Sequence, residues 1–302
     1  MKSAPIAMFV YNRPQHALRT IEALKANDFA AESDLIIFSD GPKSEKDAPM
    51  VEEVRKLCSA VEGFKSVRVV EQACNLGLAR SIISGVTEVV DNYGRIIVLE
   101  DDMVTSPYFL RYMNEALELY ENEDRVISIH GYAYPVAHPL PETFFLRGAD
   151  CWGWATWQRG WACFNSNGRF LLDELKCRKL IRAFDFNGSY PYSAMLEGQI
   201  YGKNDSWAIR WNASAFLAGK LTLYPGRSLV LNIGNDCSGT HCGKTASLDS
   251  ELSATAIHLS NIVVEPSKTG NRAFEEFFRQ SNSGLLRRVA HKSHAFLLAS
   301  RR

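Results

Sequence analysis

Residues 95–107, RIIVLEDDMVTSP, place the apolar side chains Ile96, Ile97, Val98 and Leu99 directly before three carboxylates, Glu100, Asp101 and Asp102. A chain gains nothing from closing a buried strand with crowded like charges, because each opposes ionisation of the next. Carboxylates so arranged suit a hard divalent cation, Mg2+ or Mn2+, which takes one or two protein oxygens and completes its shell from substrate phosphate and water. The plainer reading is a solvated loop whose acids sit at the N-terminus of the following helix. Placement at the end of an apolar run favours the cation.

Phosphate chemistry also needs positive charge, and the usual cradle is missing. No G-x-x-x-x-G-K-[ST] occurs and no G-x-G-x-x-G follows the first apolar run, which argues against a P-loop NTPase and an ordinary dinucleotide dehydrogenase. Asn12 and Arg13, just past that run, and Arg80, in the helix after CNLGL, are placed to meet a diphosphate. Either arginine taken alone reads as a surface residue.

These groups need a scaffold that brings them together, and the hydrophobic pattern supplies one. PIAMFVYN (5–12), DLIIFSDGP (34–42), SVRVVEQ (66–72) and RIIVLEDD (95–102) read as short buried strands. Between them, QHALRTIEALKAN (15–27), APMVEEVRKLCSAVEG (48–63) and LARSIISGVTEVVDNYG (78–94) read as helices, Pro14 opening the first and Gly94 closing the third. A fourth helix, PYFLRYMNEALELYENE (107–123), takes Ser106 as N-cap and Pro107 at its first position. The alternation predicts an α/β fold, a mostly parallel sheet with helices on both faces. Ligands of such sheets bind beyond the C-terminal ends of the strands. There the sequence puts Asn12-Arg13, Ser39-Asp40 and the acidic triplet. Residues 125–165 and 190–232 look like shorter strands and loops added at the sheet's edge, and include the run CWGWATWQRGW with Trp152, Trp154, Trp157 and Trp161.

The 302 residues hold 34 basic and 34 acidic side chains and 46% hydrophobic residues, an ordinary globular composition that argues against a nucleic-acid partner. Seven scattered cysteines suit a reducing cytoplasm. The opening run APIAMFV is too short for a signal core, and no apolar stretch approaches the roughly 20 residues of a membrane helix, so a cytoplasmic address is expected. One domain is expected over 1–265, followed by a basic, helical tail over 266–302. The tail suits either peripheral contact with anionic lipid or a plain surface helix.

In this order, VYNRP, FSDGP, NLGLARSIISG and IIVLEDDMVTSPYFL resemble the nucleotide-sugar half of GT-A glycosyltransferases, in particular bacterial family-2-like enzymes and the N-acetylglucosaminyltransferase I group. The similarity covers residues 4–120 well and 125–245 more loosely. It implies a Rossmann-like GT-A fold, with 1–102 the nucleotide-sugar part and 103–265 the acceptor side. By position, Asp102 resembles the metal-binding aspartate of the family's DXD-type motif, with Glu100 and Asp101 beside the donor and Asp101 next to its ribose. Arg13 matches the arginine near the donor phosphates. Asp40 is similar to the aspartate that reads uracil, whose ring N–H a carboxylate can accept. Its alternative is a turn-initiating role before Gly41-Pro42.

The resemblance also implies a catalytic base on the acceptor side. Asp205 in GKNDSWAIRW fits that element, with Trp207 and Trp211 as an apolar wall and Glu197 as second candidate. Capping the helix that follows is the other reading of Asp205. His241 in NDCSGTHCG resembles a late histidine that reaches the metal or diphosphate. A zinc site with Cys237 and Cys242 matches no ordinary spacing, and a solvated loop histidine stays open. Asp150 is placed near sugar hydroxyls, and at least one tryptophan of the aromatic run near the acceptor cleft.

The activity implied by the resemblance is that of an inverting hexosyl- or N-acetylhexosaminyltransferase, dependent on Mn2+ or Mg2+. It would move a sugar from a UDP-sugar donor to a glycan or lipid-linked acceptor in surface polysaccharide assembly. A sugar-1-phosphate nucleotidyltransferase is the enzyme alternative, although IAMFVYNRPQHAL lacks that class's Gly-rich opening loop. A non-catalytic sugar-binding scaffold is the other, against which the intact triplet and Asp205 speak.

Overall fold

The computed structural model describes residues 3–236 and 248–281. The four apolar runs form β1 Ile6–Val10, β2 Asp34–Ser39, β3 Ser66–Glu71 and β4 Arg95–Glu100. They pair in parallel in the order β3-β2-β1-β4. The connections are α1 Pro14–Lys25, α2 Ala48–Ser59 and α3 Leu78–Tyr93. Period-two alternation divides the strands between two cores. Ile6, Met8, Leu35, Ile37, Ile97 and Leu99 pack with Ala17, Ile21 and Leu24 of α1 and Val54 of α2. Ala7, Phe9, Ile36, Phe38, Ile96 and Val98 pack with Ile82, Val86 and Val89 of α3.

The triplet leads into β5 Met103–Thr105 and α4 Phe109–Leu119. Helix α4 begins later than the sequence suggests, with Tyr108 as N-cap and no side-chain cap. Ser106 lies two residues before that N-cap; its hydroxyl accepts the Tyr108 amide at 3.4 Å and donates to the Ser253 carbonyl at 2.8 Å, and so fastens a distant loop.

After β6 Val126–His130 and β7 Thr143–Arg147 comes β8 Trp154–Trp157. Four helices follow, α5 Gln158–Trp161, α6 Gly168–Cys177, α7 Ile181–Phe184 and α8 Tyr192–Ile200. Then come α9 Trp207–Leu217, β9 Leu221–Pro225 and β10 Val230–Asn232. Residues 268–281 are helical.

Among the described residues the main sheet has eight strands, in the order β3-β2-β1-β4-β8-β6-β9-β7. The second half adds its strands at the β4 edge of the parallel sheet, as expected, with β8 antiparallel between β4 and β6. Residues 168–217 are largely helical, including 192–200 where shorter strands and loops were expected, and Leu171, Leu172, Leu175, Leu196, Ile209 and Phe216 of these helices share a core of their own. The helix over 268–281 seats Phe274, Phe277 and Phe278 against Phe144, Leu146 and Tyr224. Residues 282–302 of the expected tail lie outside the described residues. Among the described residues no helix is long and apolar enough to cross a membrane.

Helix α3 lies unusually close to the sheet. A Cβ at Gly85 would meet Phe9 at 2.7 and 2.8 Å, and Phe9 is stacked on Phe38 at 5.0 Å. Gly85→Ala would gain roughly 1 kcal/mol of helix propensity, but overpacking a filled core costs about 1–3 kcal/mol. The overlap with two buried, stacked rings makes the second effect win. Denaturant unfolding should show a net loss of stability for Gly85→Ala, with the m-value unchanged.

Candidate active site

Parallel pairing of β1 with β4 sets Phe9 opposite Glu100, so the chain leaving β1 emerges beside the acidic triplet. Arg13, the N-cap residue of α1, is delivered to that point, and Pro14 at the first helical position fixes the turn. The Arg13 guanidinium binds both carboxylates. It bonds Asp101 through Nη2 and, at 3.3 Å, through Nε, and it reaches Asp102 Oδ2 through Nη2 at 2.8 Å. Thr20 of α1 donates to the Asp101 carbonyl at 2.8 Å. Asp101 and Asp102 are both buried.

Charge is frustrated here despite the arginine. Burial raises the Glu100 carboxyl above its ordinary range, and the charges of Asp102 and Asp101 add to the rise. Burial also raises Asp101, and Arg13 opposes it. Burial pulls the Arg13 guanidinium down, but Asp101 and Asp102 together hold it above its ordinary value. Asp102 Oδ1 is buried with no hydrogen-bond partner. An unsatisfied anionic oxygen at the mouth of a sheet fits one ligand position of a hard divalent cation. Among the described residues no group of three or more His, Cys, Asp or Glu side chains forms a complete cage. A cation there would draw its other ligands from substrate phosphate and water, as Mg2+ commonly does.

A strap crosses the triplet. Antiparallel pairing of β10 with β5 sets Asn232 opposite Met103, and the Ile233 amide donates to the Asp102 carbonyl at 2.9 Å. The next residue must be glycine, since a Cβ at Gly234 would fall on the Asp102 carboxylate and within 3.1 Å of Arg13 Nη1. His16 Nε2 of α1 lies 3.2 Å from Asp236 Oδ2 and ties the strap down. His241, Cys237 and Cys242 lie outside the described residues. Sequence reading missed the strap, Thr20 and His16. The one local signal was the break from apolar SLVLN to Gly234.

Asp40 follows β2 at the same edge and is buried. Its Oδ1 accepts the amides of Gly41 at 2.9 Å and Leu76 at 2.8 Å. Its Oδ2 accepts the Gly77 amide at 2.9 Å and Asn75 Nδ2 at 3.1 Å. Four donors fill the lone pairs of one carboxylate. Asp40 thus first fixes the loop that opens α3, and a nucleobase N–H would have to displace one donor, of which the Asn75 amide, also bonded to the Gly41 carbonyl at 2.8 Å, is the one side chain. Asn12 donates to Asp47 at 3.3 Å, while Arg80 is exposed in the first turn of α3.

On the far side, Asp205 is 71% exposed and lies 3.2 Å from Arg210 Nη2. Ser206, not Asp205, caps α9, its hydroxyl accepting the Ile209 amide at 3.2 Å. Asp205 is thereby free of the capping role. Trp207 and Trp211 do not form the expected wall at a cleft. Both are buried, packed on Trp154 at 5.5 and 5.8 Å, where they join α9 to the sheet. Trp157 and Trp161 are buried too, and Trp152 is the half-buried member of the run. Glu197 is exposed on α8.

Asp40→Asn would present one acceptor oxygen and an NH2 group to four donors. Hydrogen bonds to a charged group contribute about 1.5–3 kcal/mol, so stability should fall by at least that range in denaturant unfolding. Amide exchange at 75–77 should quicken in the same variant.

The sequence profile of the family described as Glycosyl transferase family 2 matches residues 6–160. No curated protein matches the chain by sequence. Among solved structures, a fragment of S. aureus TarS is similar at 10% identity and TM-score 0.34, covering 53% of this chain and 48% of that one. This chain thus spans about half the length of that fragment. Mannosyltransferase PcManGT from Pyrobaculum calidifontis, in complex with GDP-Man and Mn2+, is similar at 8% identity and TM-score 0.38, covering 72% and 69%. At such scores neither likeness bears weight. The profile spans the whole parallel half of the sheet, β8, the arginine clamp and the acidic triplet, and the chain belongs to glycosyl transferase family 2.

Proposed function

We propose that the chain transfers a sugar, with inversion, from a UDP-sugar to a hydroxyl of a glycan or lipid-linked acceptor, in surface polysaccharide assembly. One observation carries the reading: Asp102, buried beside Arg13 at the carboxyl edge of the sheet, keeps one carboxylate oxygen without a partner. Asp102 would hold Mn2+ or Mg2+, which would supply positive charge against the departing diphosphate. Arg13 offers the same phosphates a guanidinium already fixed in place by two carboxylates. Glu100, Asp101 and Asn12 line the donor side, and Arg80 adds a second cation. Asp40 shapes the nucleobase pocket through residues 75–77, and His241 is a further contact to metal or diphosphate.

Asp205 takes the proton of the acceptor hydroxyl as its oxygen forms a bond to the anomeric carbon and the bond to the diphosphate oxygen breaks. Its place in the GKNDSW element and its freedom from the capping role, which Ser206 fills, support that role over Glu197. The likeness of IIVLEDD to the N-acetylglucosaminyltransferase I group and a hexosyl or N-acetylhexosaminyl donor belong to the same proposal. So do a cytoplasmic address and contact of the basic segment beyond 281 with anionic lipid. Family membership sets aside the nucleotidyltransferase.

Calorimetric titration of UDP, GDP and dTDP, with Mn2+ and then with EDTA, tests the donor site. UDP should bind in a metal-dependent manner, and Asp102→Ala should weaken it by at least about 10–100-fold, the loss typical even for a residue one step removed from a metal. Binding of no nucleotide under either condition would leave a scaffold on a degenerate fold. Asp205→Asn should bind UDP normally while lowering release of UDP from the sugar nucleotide by about 10²–10⁴-fold.

A further inference from the structure

The helices after β8 leave one face of the molecule with apolar and basic side chains turned to solvent. In α6, Leu171, Leu172 and Leu175 are buried, so the opposite side presents Arg169, Phe170, Asp173, Lys176 and Cys177. Phe170 keeps 49% exposure. Helix α8, YSAMLEGQI, fully buries only Leu196, and carries Ala194 and Met195 outside with Glu197 as its one charge. A helix this apolar normally finds packing partners on most sides. Tyr201, the residue that ends α8, is 60% exposed.

The start of α6 and the end of α8 meet here. A Cβ at Gly168 would fall on Gln199 and within 3.2 Å of Ile200. The Arg169 guanidinium lies over the Tyr201 ring at 5.5 Å. Asn204 Nδ2 donates to the Met195 carbonyl at 3.2 Å and the Lys203 amide to that of Gly198 at 2.8 Å, so Lys203 is held beside α8. More charge stands at the far end of α6. Residues 168–184, GRFLLDELKCRKLIRAF, hold five basic side chains against two acidic ones, in a chain whose totals balance. Glu174 pairs with Arg178 at 2.5 Å, while Lys176, Lys179, Arg182 and Lys203 are exposed and join no ion pair among the described residues.

Lys179 adds a second observation. It follows the last turn of α6 in the left-handed region, with φ 57°, and the Leu180 amide closes back on the Leu175 carbonyl at 2.8 Å. That closure normally takes glycine. A lysine strains the backbone there, and its exposed side chain returns no packing. Stability does not explain it; charge at the surface does.

We infer that this face, the outer side of α6 with the end of α8, docks on an anionic lipid bilayer. Phe170, Met195 and Tyr201 enter the headgroup boundary, which suits side chains with an apolar body, the tyrosine keeping its hydroxyl in water. Arg169, Lys176, Lys179, Arg182 and Lys203 meet the lipid phosphates, their stems lying along the apolar surface. A second copy seated face to face would instead set the same cations against one another. Docking goes beyond the proposed reaction and does not depend on it. Its use does rest on that reading: Asp205 follows Lys203 and Asn204, so the candidate base would stand next to the membrane plane, where a lipid-linked acceptor presents its hydroxyl.

The test is cosedimentation of the full chain with vesicles of phosphatidylcholine, alone and with phosphatidylglycerol added, without nucleotide. The unaltered protein should bind only the anionic vesicles, and less as salt rises. Lys179→Gly should hold or raise the Tm, because glycine relieves the strain, yet weaken anionic-vesicle binding about fivefold, the effect of one cation at a lipid surface. Phe170→Ser combined with Tyr201→Ser should leave the Tm unchanged and weaken binding by about tenfold or more. Arg287→Glu combined with Arg288→Glu separates what the segment beyond 281 contributes. Normal vesicle binding by the first two variants overturns the inference, whatever the third does. Failure of the unaltered protein to bind vesicles overturns it as well, and light scattering that then shows a dimer lost in those variants assigns the face to a second copy. Vesicle binding that persists where no nucleotide binds overturns the donor reading alone.

Discussion

Two buried carboxylates share one guanidinium at the end of β4, and the rest of the site is arranged around that contact. Removing an ion from water costs several kcal/mol even after relaxation, so Asp101 and Asp102 persist there only because Arg13 reaches both. Arg13 reaches them because β1 and β4 are parallel neighbours and α1 starts where β1 stops. Thr20 on the same helix holds the Asp101 carbonyl, and the strap after β10 holds that of Asp102. Without the clamp, the two carboxylates would face each other with no cation between them, while the strap would keep its pairing with β5 and the His16–Asp236 contact.

Polar groups along this edge serve structure first and leave a remainder for chemistry. Asp40 uses its full accepting capacity on Gly41 and residues 75–77, which fixes the loop that opens α3. Asp102 gives one oxygen to Arg13 and leaves the other unmet. His130 leaves both nitrogens unmet one strand beyond β8. Buried polar groups are normally paired, and the unmet Asp102 oxygen stands beside the arginine clamp where a ligand could meet it.

The two halves of the sheet reach that edge differently. β1 to β4 are joined by helices and run in parallel, which puts their C-terminal ends side by side. β8 runs against them, and so presents its beginning, residues 150–154, where the others present their ends. That reversal is what brings Asp150 near Asp102. The tryptophans of this region are the mortar: Trp154, Trp161, Trp207 and Trp211 pack together and join α9 to the sheet.

The parallel half was legible in the order of residues alone, because each strand there is a short apolar run and each helix a 3.6-residue pattern with a proline or glycine at its boundary. Those signals are local, and so were the positions of Arg13, Asp40 and the triplet at strand ends. The remainder came from long-range packing. Whether WATW becomes a central or an edge strand depends on partners far along the chain, and Trp207 reads the same whether it lines a cleft or fills a core. The capping of α9 by Ser206 was open to Asp205 as well, and only the folded helix end chose between them. The use of Ser106 to hold Ser253 and the meeting of Gly234 with Asp102 are contacts between separated segments. No periodicity records them, because they arise from which surfaces pack together and not from the order of residues along one element.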